Sequence, residues 1–167
     1  TPFGAALENQ TMSIFGIDMV DLNDIEGTES VVAHELAHQW FGDSISVADW
    51  SDIWLNEGFA SYGEALWVEY DYGKDGLNQW VDNYYQDVKD YPEYYPPPGP
   101  PSATDLFNGG VYIRGGLTLH ALRVTVGDDA FFEILRTYHE RYKFGNATTE
   151  DFIAIAKTEG LSRAIAS

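Results

Sequence analysis

The spacing of apolar positions changes along this chain, and the changes mark out its elements. Over residues 1–20 the pattern is short and loosely alternating: Met12-Ser13-Ile14-Phe15 lies between Gly4 and Gly16, which predicts extended structure. Residues 21–27 are polar and acidic and predict a loop. Thr28 stands where it can cap a helix of about fourteen residues ending near Gly42. A second helix is expected after Ser51 or Asp52, running to about Tyr70 with Gly73 as its stop. Leu77, Trp80, Val81, Tyr84 and Val88 then recur at helical spacing and predict a third.

The pattern breaks where six of the seven prolines fall between Pro92 and Pro101. A backbone lacking so many N–H donors joins neither a helix nor an inner strand, so this stretch is a surface loop, a spacer or the rim of a cleft. Beyond it, residues 114–126 read as a helix. Asp128 is expected to cap another, striped by Phe131, Leu135, Tyr138 and Tyr142. Thr148 with Asp151 forms a capping pair for a last helix reaching about Glu159. No internal repeat is visible. The sum is an α+β chain, predominantly helical, with a small sheet edge near its amino terminus.

Composition narrows the function classes. The 167 residues suit one domain, and 44% apolar content with 15% aromatics supports a core rich in rings. Twenty-seven acids against nine bases give a formal charge of -18. Such a surface repels phosphate backbones and anionic lipid, which argues against nucleic-acid and membrane partners. It attracts cations, a peptide amino terminus among them. The chain has no cysteine, hence no disulfide and no thiolate nucleophile or ligand. No run is long and apolar enough to span a bilayer. Nothing in the sequence fixes a compartment. The chain opens at Thr1 without an initiator Met and is expected to be a piece of something longer.

The chemistry concentrates in His34-Glu35-Leu36-Ala37-His38. Two His four residues apart on a helix lie one turn apart on one face, so both imidazoles can reach one ion. Glu35 projects about a hundred degrees round from His34, clear of the ion but within reach of water beside it. A catalytic zinc takes three protein ligands and keeps one position open. A third ligand at the metzincin spacing fails, because Phe41 and Ser44 stand where Gly and His are needed. Glu57, in Asn56-Glu57-Gly58 on the following helix, supplies the alternative. Glu64 follows Glu57 by two helical turns on the same face, where it can orient a ligand or simply face solvent.

This constellation, with Trp54-Leu55-Asn56-Glu57-Gly58-Phe59-Ala60 around it, resembles the zinc signature of the M1 (gluzincin) aminopeptidases. The resemblance extends to two further stretches. Ala5-Ala6-Leu7-Glu8-Asn9 stands where that family carries Gly-x-Met-Glu-Asn, with Ala5 and Leu7 as departures, and implies that Glu8 binds the substrate's free amino group. Tyr112-Ile113-Arg114-Gly115 is similar to the family's Tyr-x-Lys-Gly and implies that the Tyr112 hydroxyl supports the oxyanion. His120 and His139 match no motif and are expected to be structural.

The resemblance implies a thermolysin-like metallopeptidase core holding one Zn2+ through His34, His38 and Glu57. Glu35 is then the general base, and single amino-terminal residues are released from peptides with a free amino terminus. It also implies a single domain over residues 1–167, flanked in family members by a β domain before it and a helical domain after it. A core lacking part of its sheet would leave an edge open to self-association. Two other readings stay open: a thermolysin-type zinc endopeptidase, for which Glu8 is no amine anchor, and a non-catalytic peptide-binding fragment.

Overall fold

A computed structural model describes residues 4–164; the first three residues of the expected extended region lie outside it. Strands β1 (Ala6–Leu7) and β2 (Ile14–Phe15) form a two-stranded antiparallel hairpin, with Ala6 opposite Phe15 and Leu7 opposite Ile14. This hairpin is the small amino-terminal sheet edge. A short 3-10 turn, Ile17–Met19, follows it.

Helix α1 (Ile25–Ala37) starts a turn earlier than Thr28. Its cap is Asp24, whose Oδ1 accepts the Gly27 N–H at 3.0 Å. Thr28 instead looks backwards, accepting from the Asp21 amide at 2.9 Å and donating to the Asp21 carbonyl at 3.0 Å. Asp24 wins because a carboxylate is the better acceptor for the exposed amides of a first turn. The helix ends at Ala37, with His38 as a still-helical cap, and the chain turns out through Gly42 at φ 143°.

Helix α2 (Trp54–Asp90) is the axis of the molecule. Trp54, Leu55, Glu57, Gly58, Phe59, Ala60, Ser61 and Tyr62 are all buried, so its first turns are covered on every side. α2 contains both the second and the third expected helix. Gly73, whose φ of 72° and ψ of -168° are not helical, ends the first at a kink as expected, and the second begins beyond it. A glycine accepts that conformation where other residues are strained.

After the proline-rich loop, one π-helical turn (Gly110–Arg114) leads into α3 (Gly115–Val126). The expected single helix from Arg114 is thus two hydrogen-bonding patterns in series. α3 packs on α2 through glycines: a Cβ on Gly58 would lie 2.8 Å from Gly115 Cα. The loop seats on the π-turn, where Arg114 Nη1 donates to the Tyr95 carbonyl at 3.0 Å and Gly110 abuts the Pro96 carbonyl. Helix α4 (Asp128–Tyr142) begins after Gly127. Asp128 is its first residue and not its cap, because the carboxylate is taken by Arg123 at 2.9 Å and 3.1 Å.

Strand β4 (Gly145–Ala147) then pairs in parallel with β3 (Ile45–Val47), Ile45 opposite Gly145 and Val47 opposite Ala147. Helix α5 (Thr149–Ala164) follows. Thr148 and Asp151 form the expected reciprocal cap: Oδ2 accepts the Thr148 amide at 3.0 Å, and Thr148 Oγ1 accepts the Asp151 amide at 3.2 Å. The core is the seam between α2, α3, α4 and α5, dense in rings from Trp54, Phe59, Phe131, Tyr138 and Phe152. No described helix is long and apolar enough to cross a membrane.

Candidate metal centre

α1 and α2 bring the three expected ligands together. His34 and His38 lie one turn apart on α1, and Glu57 faces them from the first turn of α2. Their ligand atoms all lie within 4.8 Å of one another, and among the described residues this is the one such group of three. Glu57 Oε2 is 3.3 Å from Nε2 of each ring. All three side chains are largely buried.

The outer nitrogens of the rings are committed elsewhere. His38 Nδ1 is 3.0 Å from the Phe41 carbonyl, which can only accept, so that nitrogen carries the hydrogen. His34 Nδ1 is 2.7 Å from Glu64 Oε1 and donates in the same way. In the neutral rings both Nε2 lone pairs then point at a carboxylate oxygen. Three electron-rich atoms converge and require a positive charge between them.

A proton is one solution. Burial opposes charging the rings, but hydrogen bonds and charge from Glu57 and Glu64 push the His34 pKa up to about 10. His38 is likewise driven up by Glu57 against its burial. Glu57 is itself held down to about 2, because bonds from both rings outweigh its burial. A divalent cation is the other solution. Two imidazole nitrogens and one carboxylate oxygen are the donor types of a catalytic zinc site with an open position.

Glu35 fits the same picture. It is 6% exposed, and its Oε2 is a buried side-chain oxygen without a hydrogen-bond partner. Such an atom is costly to bury unless something absent from a bare chain satisfies it, water or ligand. Burial drives its pKa up, opposed by the two rings and reinforced by the charges of Glu8 and Glu57.

Tyr112 stacks on His34 with centroids 5.8 Å apart and planes 22° apart. Burial and the neighbouring Glu57 push its phenol well above the ordinary tyrosine range, so it keeps its proton. Glu8 follows β1 on the hairpin and is half-buried. Its charge is felt by Glu35, Tyr112 and Asp43, which brings the hairpin to the same site. Gln39 braces that approach, accepting the Thr11 amide at 3.2 Å and donating to Asp43 at 2.9 Å. His120 and His139 are engaged elsewhere, with the Tyr62 hydroxyl at 3.2 Å and the Ser44 hydroxyl at 3.0 Å.

Two contributors escape a motif-based reading. Phe41 acts through its backbone carbonyl, which no side-chain pattern reveals. Ser30 donates to Glu64 Oε2 at 2.6 Å, and only its position one turn before His34 hints at a role.

Residues 3–165 match the Peptidase family M1 domain. The chain is 33% identical over 143 residues to Aminopeptidase N of Streptomyces lividans, covering 78% of this chain and 17% of that protein. It is 35% identical over 133 residues to human Glutamyl aminopeptidase, covering 75% of this chain and 14% of that protein. Among solved structures, an M1 zinc metallopeptidase from Deinococcus radiodurans superposes with a TM-score of 0.80 at 35% identity, covering 92% of this chain and 33% of that one. A mutant of the Deinococcus radiodurans enzyme, bound to a Tyr-Ser-Ala substrate, aligns with the same TM-score. The chain therefore spans 14–17% of the length of these curated relatives and 33% of the solved structure. On the match over nearly its whole length, the chain belongs to peptidase family M1.

Proposed function

We propose that this chain is the catalytic core of a zinc aminopeptidase, in which His34, His38 and Glu57 hold the metal and Glu35 is the general base. One observation carries the reading. Three convergent buried donors need a cation, and the unpartnered Glu35 oxygen sits beside them. The relatives named as aminopeptidases, and the solved structures named as zinc metallopeptidases, support it. So does the share of those proteins that the chain spans, which suits one domain working beside flanking ones.

Bound at these donors, zinc would supply Lewis acidity toward a carbonyl oxygen and make water easier to deprotonate. The chain's own residues do the rest. Glu35 takes a proton from the attacking water and returns it to the leaving amine, a role worth about 10²–10⁴ in rate. Its buried setting suits a carboxylate that must carry that proton between the two steps. Tyr112 donates its phenolic hydrogen to the carbonyl oxygen as negative charge develops there. Glu8 pairs with the substrate ammonium, so the chain measures one residue to the scissile bond. A carboxylate in that place favours amino-terminal cleavage over an internal cut.

The test begins with metal content, measured by mass spectrometry on protein purified without chelator, with His38→Ala as control. About one zinc per chain, lost in the control, is expected. A short peptide and its N-acetylated twin are then offered. Cleavage confined to the free peptide, at its first bond, is the expected outcome. Equal cleavage of the acetylated twin would overturn the amine assignment of Glu8 and favour an endopeptidase.

A further inference from the structure

His34 and His38 present the same nitrogen to the site, but they are held by different means. His38 Nδ1 donates to the backbone carbonyl of Phe41, three residues along its own chain. That partner comes with the fold of the helix end. His34 Nδ1 donates to a side chain from another helix, Glu64 Oε1, at 2.7 Å. Glu64 is seven residues beyond Glu57 on α2, so the two carboxylates stand on one face and straddle the His34 ring. One lies 3.3 Å from Nε2 and the other 2.7 Å from Nδ1.

Glu64 is itself held. Ser30, one turn before His34 on α1, donates to Glu64 Oε2 at 2.6 Å. Each oxygen of Glu64 therefore serves one donor from α1, and the carboxylate cannot rotate without losing both. The two contacts are short and lie away from bulk solvent, where charge-assisted bonds are strongest.

We propose that Ser30 and Glu64 are positioning residues for the metal: together they fix the tautomer and orientation of His34 so that Nε2 faces the cation, and they set how firmly the chain retains zinc. This inference rests on the zinc reading of the site. Neither residue touches the metal. Glu64 acts through His34, and Ser30 acts through Glu64. An imidazole free to turn would present its Nδ1 or a protonated Nε2 for part of the time, and each such state is lost to binding.

The test is zinc affinity, by competition with a chromophoric chelator, for the parent chain and for Ser30→Ala, Ser30→Thr, Glu64→Gln and Glu64→Ala. Thermal unfolding of each is recorded with and without zinc. Losing an outer partner of a metal-bound His weakens binding by about 10–100-fold. Glu64→Ala is expected at the upper end of that range. Glu64→Gln, which keeps an acceptor but no charge, and Ser30→Ala fall near the lower end. Ser30→Thr, which restores the hydroxyl, recovers the parent affinity. The metal-free melting of Ser30→Ala stays at the parent value while the added stability from zinc shrinks.

Parent-like affinity in both Ser30→Ala and Glu64→Ala overturns the proposal. So does a loss of affinity that only follows a loss of metal-free stability and is not recovered by Ser30→Thr. No zinc uptake by the parent chain overturns the zinc reading, and this inference with it.

Discussion

Replacing Gly58 with alanine tests how the substrate side of the site is held against the metal side. Gly58 follows Glu57, a proposed metal ligand, on α2 and meets α3 backbone to backbone. An added Cβ would lie 2.8 Å from Gly115 Cα, 3.0 Å from Gly115 C and 3.2 Å from the Val111 carbonyl oxygen. None of these is a side chain that could swing aside. Ordinary carbon contacts sit at about 3.5–4.0 Å, so α3 and its π-turn must retreat by roughly 0.7–1.2 Å. Overpacking of this kind costs about 1–3 kcal/mol, and alanine recovers up to about 1 kcal/mol through helix propensity. A net loss of roughly 0–3 kcal/mol in urea unfolding is expected.

The functional effect is more discriminating. His34, His38 and Glu57 all lie on the α1–α2 side of the contact, and Tyr112 lies on the far side, in the π-turn. The retreat therefore moves the phenol away from the donors and leaves the donors in place. A misplacement near 1 Å can cost about 10²-fold in rate. Zinc titration should give the parent affinity, and turnover of an aminoacyl substrate should fall about 100-fold. A Gly58→Ala protein with full turnover and about 1 kcal/mol of added stability would refute the reasoning, because it would show that this contact does not position Tyr112.

Three more predictions rest on other parts of the molecule. Glu35→Gln should keep zinc and lose about 10²–10⁴ in turnover, and full activity in the zinc-loaded variant would exclude Glu35 as the base. Arg123 is buried and bridges Glu69 at 2.6 Å and Asp128 at 2.9 Å. Arg123→Ala should cost about 3 kcal/mol in urea unfolding, the low end for a broken buried pair, because Asp128 is 59% exposed and contributes little. A loss under about 1 kcal/mol would mean the whole network behaves as surface charge. Asp151 is held below its ordinary pKa, first by the Thr148 amide and then by the Thr148 and Tyr142 hydroxyls. Because the folded value is depressed, its contribution is present above the unfolded carboxylate range and is lost as pH falls through the folded value. Asp151→Asn should therefore melt below the parent near neutral pH and converge with it in acid; a constant gap at every pH would exclude the charged cap.

The site was legible where chemistry demands a fixed spacing. Two His one helical turn apart, and a Glu on the next helix, are constraints that the backbone cannot relax, so His34, His38 and Glu57 are readable from spacing alone. Gly73 and the prolines announced themselves for the same reason, through what their backbones allow. What stayed hidden depends on tertiary contact. The parallel pair β3–β4 joins two three-residue segments from distant parts of the chain, too short to carry a period. The π-turn at Gly110 differs from an α-helix by one residue in its hydrogen bonds and leaves the apolar stripe unchanged. The choice of Asp24 over Thr28 as cap turned on which side chain is the better acceptor in three dimensions, and Thr28 is engaged with Asp21 instead. Ser30 became meaningful only once Glu64 was seen between it and His34.

The proline-rich loop bears on the denatured chain as much as on the folded one. It is held on the π-turn by the Arg114 guanidinium on the Tyr95 carbonyl, and by Gly109 and Gly110 lying against Tyr94, Tyr95 and Pro96. These contacts must offset the ordering of the loop, since each ordered residue surrenders about 1–2 kcal/mol of backbone entropy. Proline lowers that demand before folding begins. A compatible proline removes roughly 0.4–1 kcal/mol of disorder from the unfolded ensemble, and this loop carries six. The seat of the loop on the π-turn thus owes part of its order to freedom that the unfolded chain already lacks.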